Sequence, residues 1–267
     1  MELAISVIDA FTDTVFKGNP AAVVILDAWL PDEHMQNIAA ENNLSETAFL
    51  VNVAHNRFHI RWFSPLTEID FCGHATLASA HELFSQNNEL HHVEFTADAV
   101  GNFSVDRTKS GMLAMDFPNT SPTLIAPSEV PSALLKGLSI PPAEVLINKQ
   151  AYMVVYDSPC DVRNVKRDNA TLAMLAPHDV VVTSRSDDSQ YDFISRYFWP
   201  ANGSDEDPAT GSIHTALAPF WAKRLGKTAL IGYQASARGG IIHCEVNHQR
   251  VIISGNTVAY LKGTISI

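Results

Sequence analysis

The chain has 267 residues, 46% hydrophobic and 18% charged, with no low-complexity tract, a make-up that fits a folded globular protein and excludes wholesale disorder. A formal net charge of -11 with no Lys/Arg cluster lacks the electrostatic footprint of a nucleic-acid binder. No run of about 18 apolar residues occurs, and the stretch MELAISVIDAFTDTVF has acidic residues and no basic n-region, so neither a membrane span nor a secretory leader is expected.

The first part of the chain is dominated by alternating and β-branched runs. Leu3–Asp9, Ala21–Leu26, Thr47–Val53, Arg57–Phe63, Val93–Thr96, Gly101–Asp106 and Gly111–Phe117 read as strands. Two stretches read as helices: Pro31–Asn42, with an acidic first turn, and the Ala/Leu-rich His74–Phe84 after Gly73. A segment dense in Ser, Thr and Pro, Asn119–Pro131, reads as a connection between two lobes. The pattern then starts again, with strands expected at Glu144–Ile147, Ala151–Val155, Val180–Thr183, Phe193–Phe198, Gly240–Val246 and Arg250–Ser254 and a principal helix at Ile213–Leu225. The expected lobes are residues 1–118 and 119–267, with the final strand, about 257–267, returning to the first.

The restart is visible in the letters. Arg61-Trp62-Phe63-Ser64-Pro65 precedes Asp70, Gly73 and a small-residue helix; Arg196-Tyr197-Phe198-Trp199-Pro200 precedes Asp207, Gly211 and another. Both halves read R-x-F-x-P, a loop, an Asp, then a Gly opening a helix, which points to an internal duplication. Ala75, Leu77, Ala78, Ala80 and Leu83 spread apolar groups over more than one helix face, as burial at the centre of a lobe requires.

Two helix starts at glycines would each present unpaired N–H groups and roughly half a positive charge, and if the lobes face one another both would serve one cleft suited to a carboxylate or a developing enolate. Glu46, His74, Asp207 and Ser212 flank these starts and related loops. Glu46, between an Asn-rich turn and an apolar run, is the preferred general base and acid, because a low-polarity setting favours proton exchange near neutrality. Each residue also has a bland reading: Glu46 as a capping or surface carboxylate, His74 as a satisfied buried imidazole or helix-start neighbour, Asp207 and Ser212 as turn and capping residues.

Cys72, Cys160 and Cys244 are odd in number and widely spaced, which fits reduced thiols in a cytoplasmic protein. The eleven histidines, His91 and His92 among them, have no HExxH or paired-cysteine context, so no metal site is expected.

Five segments carry a resemblance: Gly18-Asn19-Pro20-Ala21-Ala22-Val23-Val24, Asn43-Leu44-Ser45-Glu46-Thr47-Ala48-Phe49, Cys72-Gly73-His74-Ala75-Thr76, Glu206-Asp207-Pro208-Ala209-Thr210-Gly211-Ser212 and Gln234-Ala235-Ser236-Ala237-Arg238-Gly239-Gly240. In this order and across nearly the whole chain, they resemble the PhzF-like phenazine-biosynthesis family. The resemblance implies an α+β, diaminopimelate-epimerase-like fold of two pseudo-symmetric lobes, each a barrel-like, mostly antiparallel sheet around a central helix, commonly homodimeric and without a cofactor. It implies an isomerase that moves a proton on a small anionic, carboxylate-bearing substrate, a dihydro-hydroxyanthranilate in the best-understood member. Glu46, His74 and Asp207 take the catalytic positions, and Gly73, Gly211, Ser212, Asn19 and Ser45 the substrate-binding ones. Related racemases of this fold use two opposed thiols; here Cys72 precedes Gly73 but Thr210 precedes Gly211, which disfavours that chemistry. The competing classes are a metabolite-binding or protein-interaction module on the same scaffold, and a Cys72-based epimerase.

Overall fold

The computed structural model describes residues 1–202 and 204–267, in two units: Met1–Asp116 with Ser254–Ile267, and Phe117–Ile253. The chain runs β1 (Glu2–Ala10), β2 (Asn19–Leu26), α1 (Asp32–Asn42), β3 (Glu46–Ala54), β4 (Arg57–Phe63), β5 (Glu68–Ile69), α2 (Gly73–Gln86), β6 (His92–Ala97), β7 (Gly101–Arg107) and β8 (Leu113–Pro118). It continues with β9 (Thr123–Leu124), α3 (Ser132–Gly137), β10 (Glu144–Ile147), β11 (Ala151–Val155), α4 (Pro159–Asn164), α5 (Asn169–Leu172), β12 (Asp179–Arg185), β13 (Phe193–Trp199) and β14 (Ser204–Asp207). After α6 (His214–Leu225) come β15 (Ala229–Gln234), β16 (Gly240–Asn247), β17 (Arg250–Gly255) and β18 (Thr257–Ser266), the last pairing antiparallel with β1 from Glu2↔Ser266 to Ala10↔Thr257.

The duplication read from the letters is a duplication of topology. In the first unit β2 is parallel to β3, β3 antiparallel to β4, β4 antiparallel to β5 and parallel to β6, and β6 antiparallel to β7. In the second, β11, β12, β13, β14, β15 and β16 repeat that order and those directions. Each parallel pair needs a crossover, and the helices supply it: α1 between β2 and β3, α2 between β4 and β6, α4 and α5 between β11 and β12, α6 between β13 and β15. Most of α2 is buried, with His74 through Ala80, Glu82, Leu83 and Phe84 all inside, and it packs on β1, β2, β3, β7 and β18. A helix with so many Ala residues can sit inside a sheet because its cylinder stays thin. The outer face of the first sheet is covered by Met35, Ile38 and Ala39 of α1 over Ala22, Val24 and Phe49; Leu134, Val162 and Leu172 of the short helices do the same in the second. Each such large apolar side chain contributes about 1.5–3 kcal/mol by leaving water.

The repeated R-x-F-x-P motif has a mechanical meaning. Arg61 donates from Nε and Nη2 to the Glu68 carboxylate at 2.6 Å each, with its guanidinium 5.2 Å from the Phe63 ring centre. Arg196 grips Glu206 in the same two-pronged way at 2.7 and 2.8 Å, 5.0 Å from the Phe198 ring centre. A fork-to-carboxylate pair stacked on an aromatic face is geometrically restrictive. In both halves it fixes the short strand that delivers the chain to Asp70 or Asp207.

Several elements depart from the sequence reading. Asn119–Pro131 is not a bare connection: it contains β9, paired with β10. The helix of the second half begins at His214, after a turn in which the amides of His214 and Thr215 donate to the carbonyls of Gly211 and Ser212, so Gly211 precedes the helix whereas Gly73 opens its own. Strand β15 was not anticipated because Gly232 interrupts its alternation. That glycine is required by space: a Cβ there would lie 2.6 Å from the Phe193 ring and 3.0 Å from His214 Nε2. Gly232→Ala is therefore expected to lose about 1–3 kcal/mol of unfolding free energy in urea titrations.

His214 is fully buried and its Nδ1 donates to the Thr210 carbonyl at 2.8 Å, tying α6 to the preceding loop; burial pushes its pKa down to about 4. The unfolded chain takes up this proton near pH 6.5 and the folded one only near 4, so stability present above pH 6.5 is lost as pH falls through that window. The loss approaches roughly 3 kcal/mol at the acid end. His214→Gln should flatten the fall in urea midpoint between pH 7 and pH 4.5; an unchanged slope contradicts this assignment.

Candidate functional site

In the first unit the register of the parallel pair decides which side chains meet. Ala21 lies beside Glu46, so the start of β3 is set against the start of β2, where Asn19 follows Gly18. Gly18 has φ +62°, and a Cβ would fall 2.1 Å from the Ala10 carbonyl oxygen, so only glycine makes the turn that brings Asn19 inward. On the other flank Asn43 ends α1 in the left-handed conformation, and Asn42 Nδ2 donates to Thr47 Oγ1 at 3.0 Å. His74 comes from the second position of α2, whose N-cap, Cys72, makes no side-chain cap, so the positive end of the helix lies at the cluster.

These elements bring together Asn19, Ser45, Glu46 and His74, with Gly73 next to the last. Asn19 is fully buried, Glu46 is 3% exposed and His74 6% exposed. Ser45 Oγ donates to Asn19 Oδ1 at 3.2 Å, which turns the Asn19 amide so that Nδ2 donates to His74 Nδ1 at 3.1 Å. With Nδ1 accepting, a neutral imidazole carries its proton on Nε2, and Nε2 lies 2.8 Å from Glu46 Oε2. The pair is close but not aligned: among the described residues Oε2 accepts no hydrogen bond of good geometry, although it is buried. A buried carboxylate oxygen left in that condition costs about 1–3 kcal/mol or more, and a proton or a ligand donor would relieve it. A Cβ on Gly73 would make only ordinary contacts, 3.6 Å from Met115 and 3.8 Å from Phe71, so the protein interior does not itself demand glycine there.

Cys72 completes the cluster, its Sγ 3.4 Å from His74 Nδ1 and 3.8 Å from Nε2. The donor atoms of Glu46, Cys72 and His74 lie within 4.8 Å of one another, the spacing of a three-ligand metal centre. The sulfur, however, is nearly equidistant from both ring nitrogens and so does not share the in-plane approach to Nε2 with Oε2.

In the second unit Asp207, Thr210, Gly211 and Ser212 form a second cluster. Asp207 is buried, and Thr210 donates its hydroxyl to Asp207 Oδ2. Gln234, fully buried at the end of β15, locks the loop from three sides: Oε1 accepts from the Thr210 amide at 2.8 Å, and Nε2 donates to the Asp207 carbonyl at 2.7 Å and to Thr210 Oγ1 at 3.1 Å. Ser236 donates to the Pro208 carbonyl at 2.7 Å. Ser212 accepts from Gln150 Nε2 at 2.9 Å. Thus the eight residues singled out in the sequence fall into two groups, five in the first unit and three in the second.

Gln150, Tyr197, Thr210 and Gln234 carry no assigned role in the sequence reading, and Cys72 enters it only as a reduced thiol before Gly73. Gln234 lies in a quoted motif, and a Gln between a strand and a Gly-rich turn is the kind of residue that closes a loop. Gln150 and Tyr197 gave no such signal, since they read as turn and strand positions.

A family model described as "Phenazine biosynthesis-like protein" matches residues 8–263. An uncharacterized isomerase of Pseudomonas aeruginosa is 47% identical over 267 residues, which cover 100% of both chains. The crystal structure of a PhzF-family phenazine biosynthesis protein from Enterococcus faecalis has a TM-score of 0.93 at 39% identity, covering 100% of each chain. A hydroxyproline epimerase from Agrobacterium vitis, with a TM-score of 0.55 at 10% identity over 99% of this chain and 92% of its own, shares the fold alone. The fold is diaminopimelate-epimerase-like, and family and fold together support an isomerase- or epimerase-type activity. The chain belongs to the phenazine biosynthesis-like, or PhzF, family.

Proposed function

We propose that this protein is a cofactor-independent isomerase that moves a proton on a small carboxylate-bearing substrate, cyclic acids being the first candidates, with Glu46 as the general acid and base. The observation that carries this reading is the buried Glu46 carboxylate, 2.8 Å from His74 Nε2 yet without an aligned hydrogen bond to Oε2. A carboxylate held in this way takes a proton from a carbon acid more readily than one already satisfied by two or three donors. Asn19 keeps the imidazole in the tautomer that carries its proton on Nε2, 2.8 Å from the carboxylate, and in this reading His74 turns into line to steady Glu46 between taking the proton and returning it at another carbon.

Asp207 and Ser212 serve the same substrate in this reading. Their loop is braced by Gln234 and Thr210, the rigidity expected of groups that must hold a ligand in one orientation. The negative charge that develops as the proton leaves carbon is met by backbone N–H groups and hydroxyl donors rather than by bulk water. Homodimeric assembly and a cytoplasmic location belong to the same reading, and light scattering and cell fractionation check them.

The test is incubation of purified protein with dihydro-hydroxyanthranilate and related dihydroaromatic acids in deuterated water. Wild type should isomerise at least one with deuterium entering the product, and Glu46→Gln should lower that rate about 100-fold or more while keeping its thermal midpoint. Equal rates for the two proteins would remove Glu46 from the mechanism. Cys72→Ser should retain turnover within about tenfold of wild type, since a thiol that acts as the proton carrier would lose far more. Loss of turnover in Cys72→Ser, matched by inactivation on thiol alkylation, would transfer the role to the thiol.

A further inference from the structure

The second unit has a carboxylate at the position corresponding to Glu46. Parallel pairing sets Ala21 beside Glu46 in the first unit and Ala151 beside Asp179 in the second, so each carboxylate opens the third strand of its repeat. Ser212, directly after Gly211, corresponds in the same way to His74 after Gly73. Where Glu46 meets His74 directly, Asp179 reaches Ser212 through two intermediaries. Tyr197 donates its hydroxyl to Asp179 Oδ2 at 2.5 Å. Gln150 Nε2 donates to Tyr197 Oη and to Ser212 Oγ, both at 2.9 Å. The Asp179 amide donates to the Gln150 carbonyl at 3.0 Å, which fixes the two backbones against each other.

Donor counting fixes the direction of this chain. A tyrosine has one hydroxyl proton, and the contact to the Asp179 carboxylate uses it. Tyr197 Oη therefore accepts from Gln150, which must present its NH2 group and not its carbonyl oxygen. Both protons of that NH2 are then used, one on Tyr197 and one on Ser212. Ser212 Oγ accepts, so its own proton is left to donate elsewhere, and no acceptor for it is found among the described residues. Burial, reinforced by the Asp179 charge, holds the Tyr197 pKa well above its usual value, so the hydroxyl keeps its proton throughout the physiological range.

We infer that Gln150 is a positioning residue that occupies an acceptor position of the Ser212 hydroxyl and leaves its proton to donate outward, so that this site favours an oxyanion, a carboxylate or enolate oxygen, over cationic groups. The inference rests on the proposed role of Ser212 in substrate binding. The hydroxyl is polarised as well as oriented, because each bond in the series from Asp179 onward strengthens the next.

The experiment is calorimetric titration of the full-length protein with anthranilate, benzoate and sulfate, with matched titrations of benzylamine. Wild type should bind at least one of the anions and not the amine. Ser212→Ala and Gln150→Leu should each weaken anion binding on the order of tenfold, the size of one hydrogen bond to a charged group. Gln150→Glu, close in shape but an acceptor only, should weaken it more than Gln150→Leu, because Ser212 would then donate to residue 150 and the added charge would repel the ligand. In the Ser212→Ala background, Gln150→Leu should cost nothing further, an outcome that a merely structural role would not give. Anion affinity unchanged in Gln150→Leu and Gln150→Glu, or an equal loss with and without Ser212, would overturn the inference and leave the proposed function standing. Failure of wild type to bind any of the anions would overturn both.

Discussion

The close approach of a buried glutamate to a buried histidine, 2.8 Å apart and braced by Asn19, is the constraint on which the rest of the first unit turns. Burying a carboxylate is costly unless its surroundings compensate, and here the compensation is incomplete: a neutral imidazole and a helix N-terminus lie close by, yet Oε2 accepts no aligned hydrogen bond among the described residues. Each piece has its own local cause. Gly18 allows the turn that presents Asn19, Asn43 ends α1 just before β3, and Cys72 starts α2 without a side-chain cap.

The second unit solves a related problem with other residues. Its carboxylate at the corresponding strand position, Asp179, is shielded by Tyr197, and the residue after the glycine is a serine rather than a histidine. A duplicated scaffold has thus kept two positions and changed the chemistry at one of them. Thr210 shows the same divergence: at the place where a second thiol would stand, its hydroxyl is committed to Asp207 and Gln234.

Much of this was legible in the letters, and the failures have physical reasons. The R-x-F-x-P repeat announced the duplication because an arginine stacked on the aromatic two residues later is a local device. Its carboxylate partner was not legible: Glu68 lies seven residues after Arg61, Glu206 ten after Arg196, and no fixed spacing links them. His74 and Ser212 directly follow glycines, Asp207 lies four residues before one, and Glu46 sits between an Asn-rich turn and an apolar run, so all four could be named as candidates. Gln150 and Tyr197 could not, because their meeting depends on the register of β11, β12 and β13. Strand β15 was hidden by Gly232, a glycine kept for the space it leaves to Phe193 and His214. Helices α3, α4 and α5 span only four to six residues, too few for an amphipathic period to show.

The account stands on Glu46 exchanging a proton with carbon, and the most direct measurement is a crystal structure of the wild-type protein with an unreactive dihydroaromatic acid bound. It predicts the acidic carbon of that ligand within about 3.5 Å of a Glu46 carboxylate oxygen, the reach of a general base. A ligand seated elsewhere, with Glu46 still packed against His74 and out of reach of any of its carbons, would contradict it.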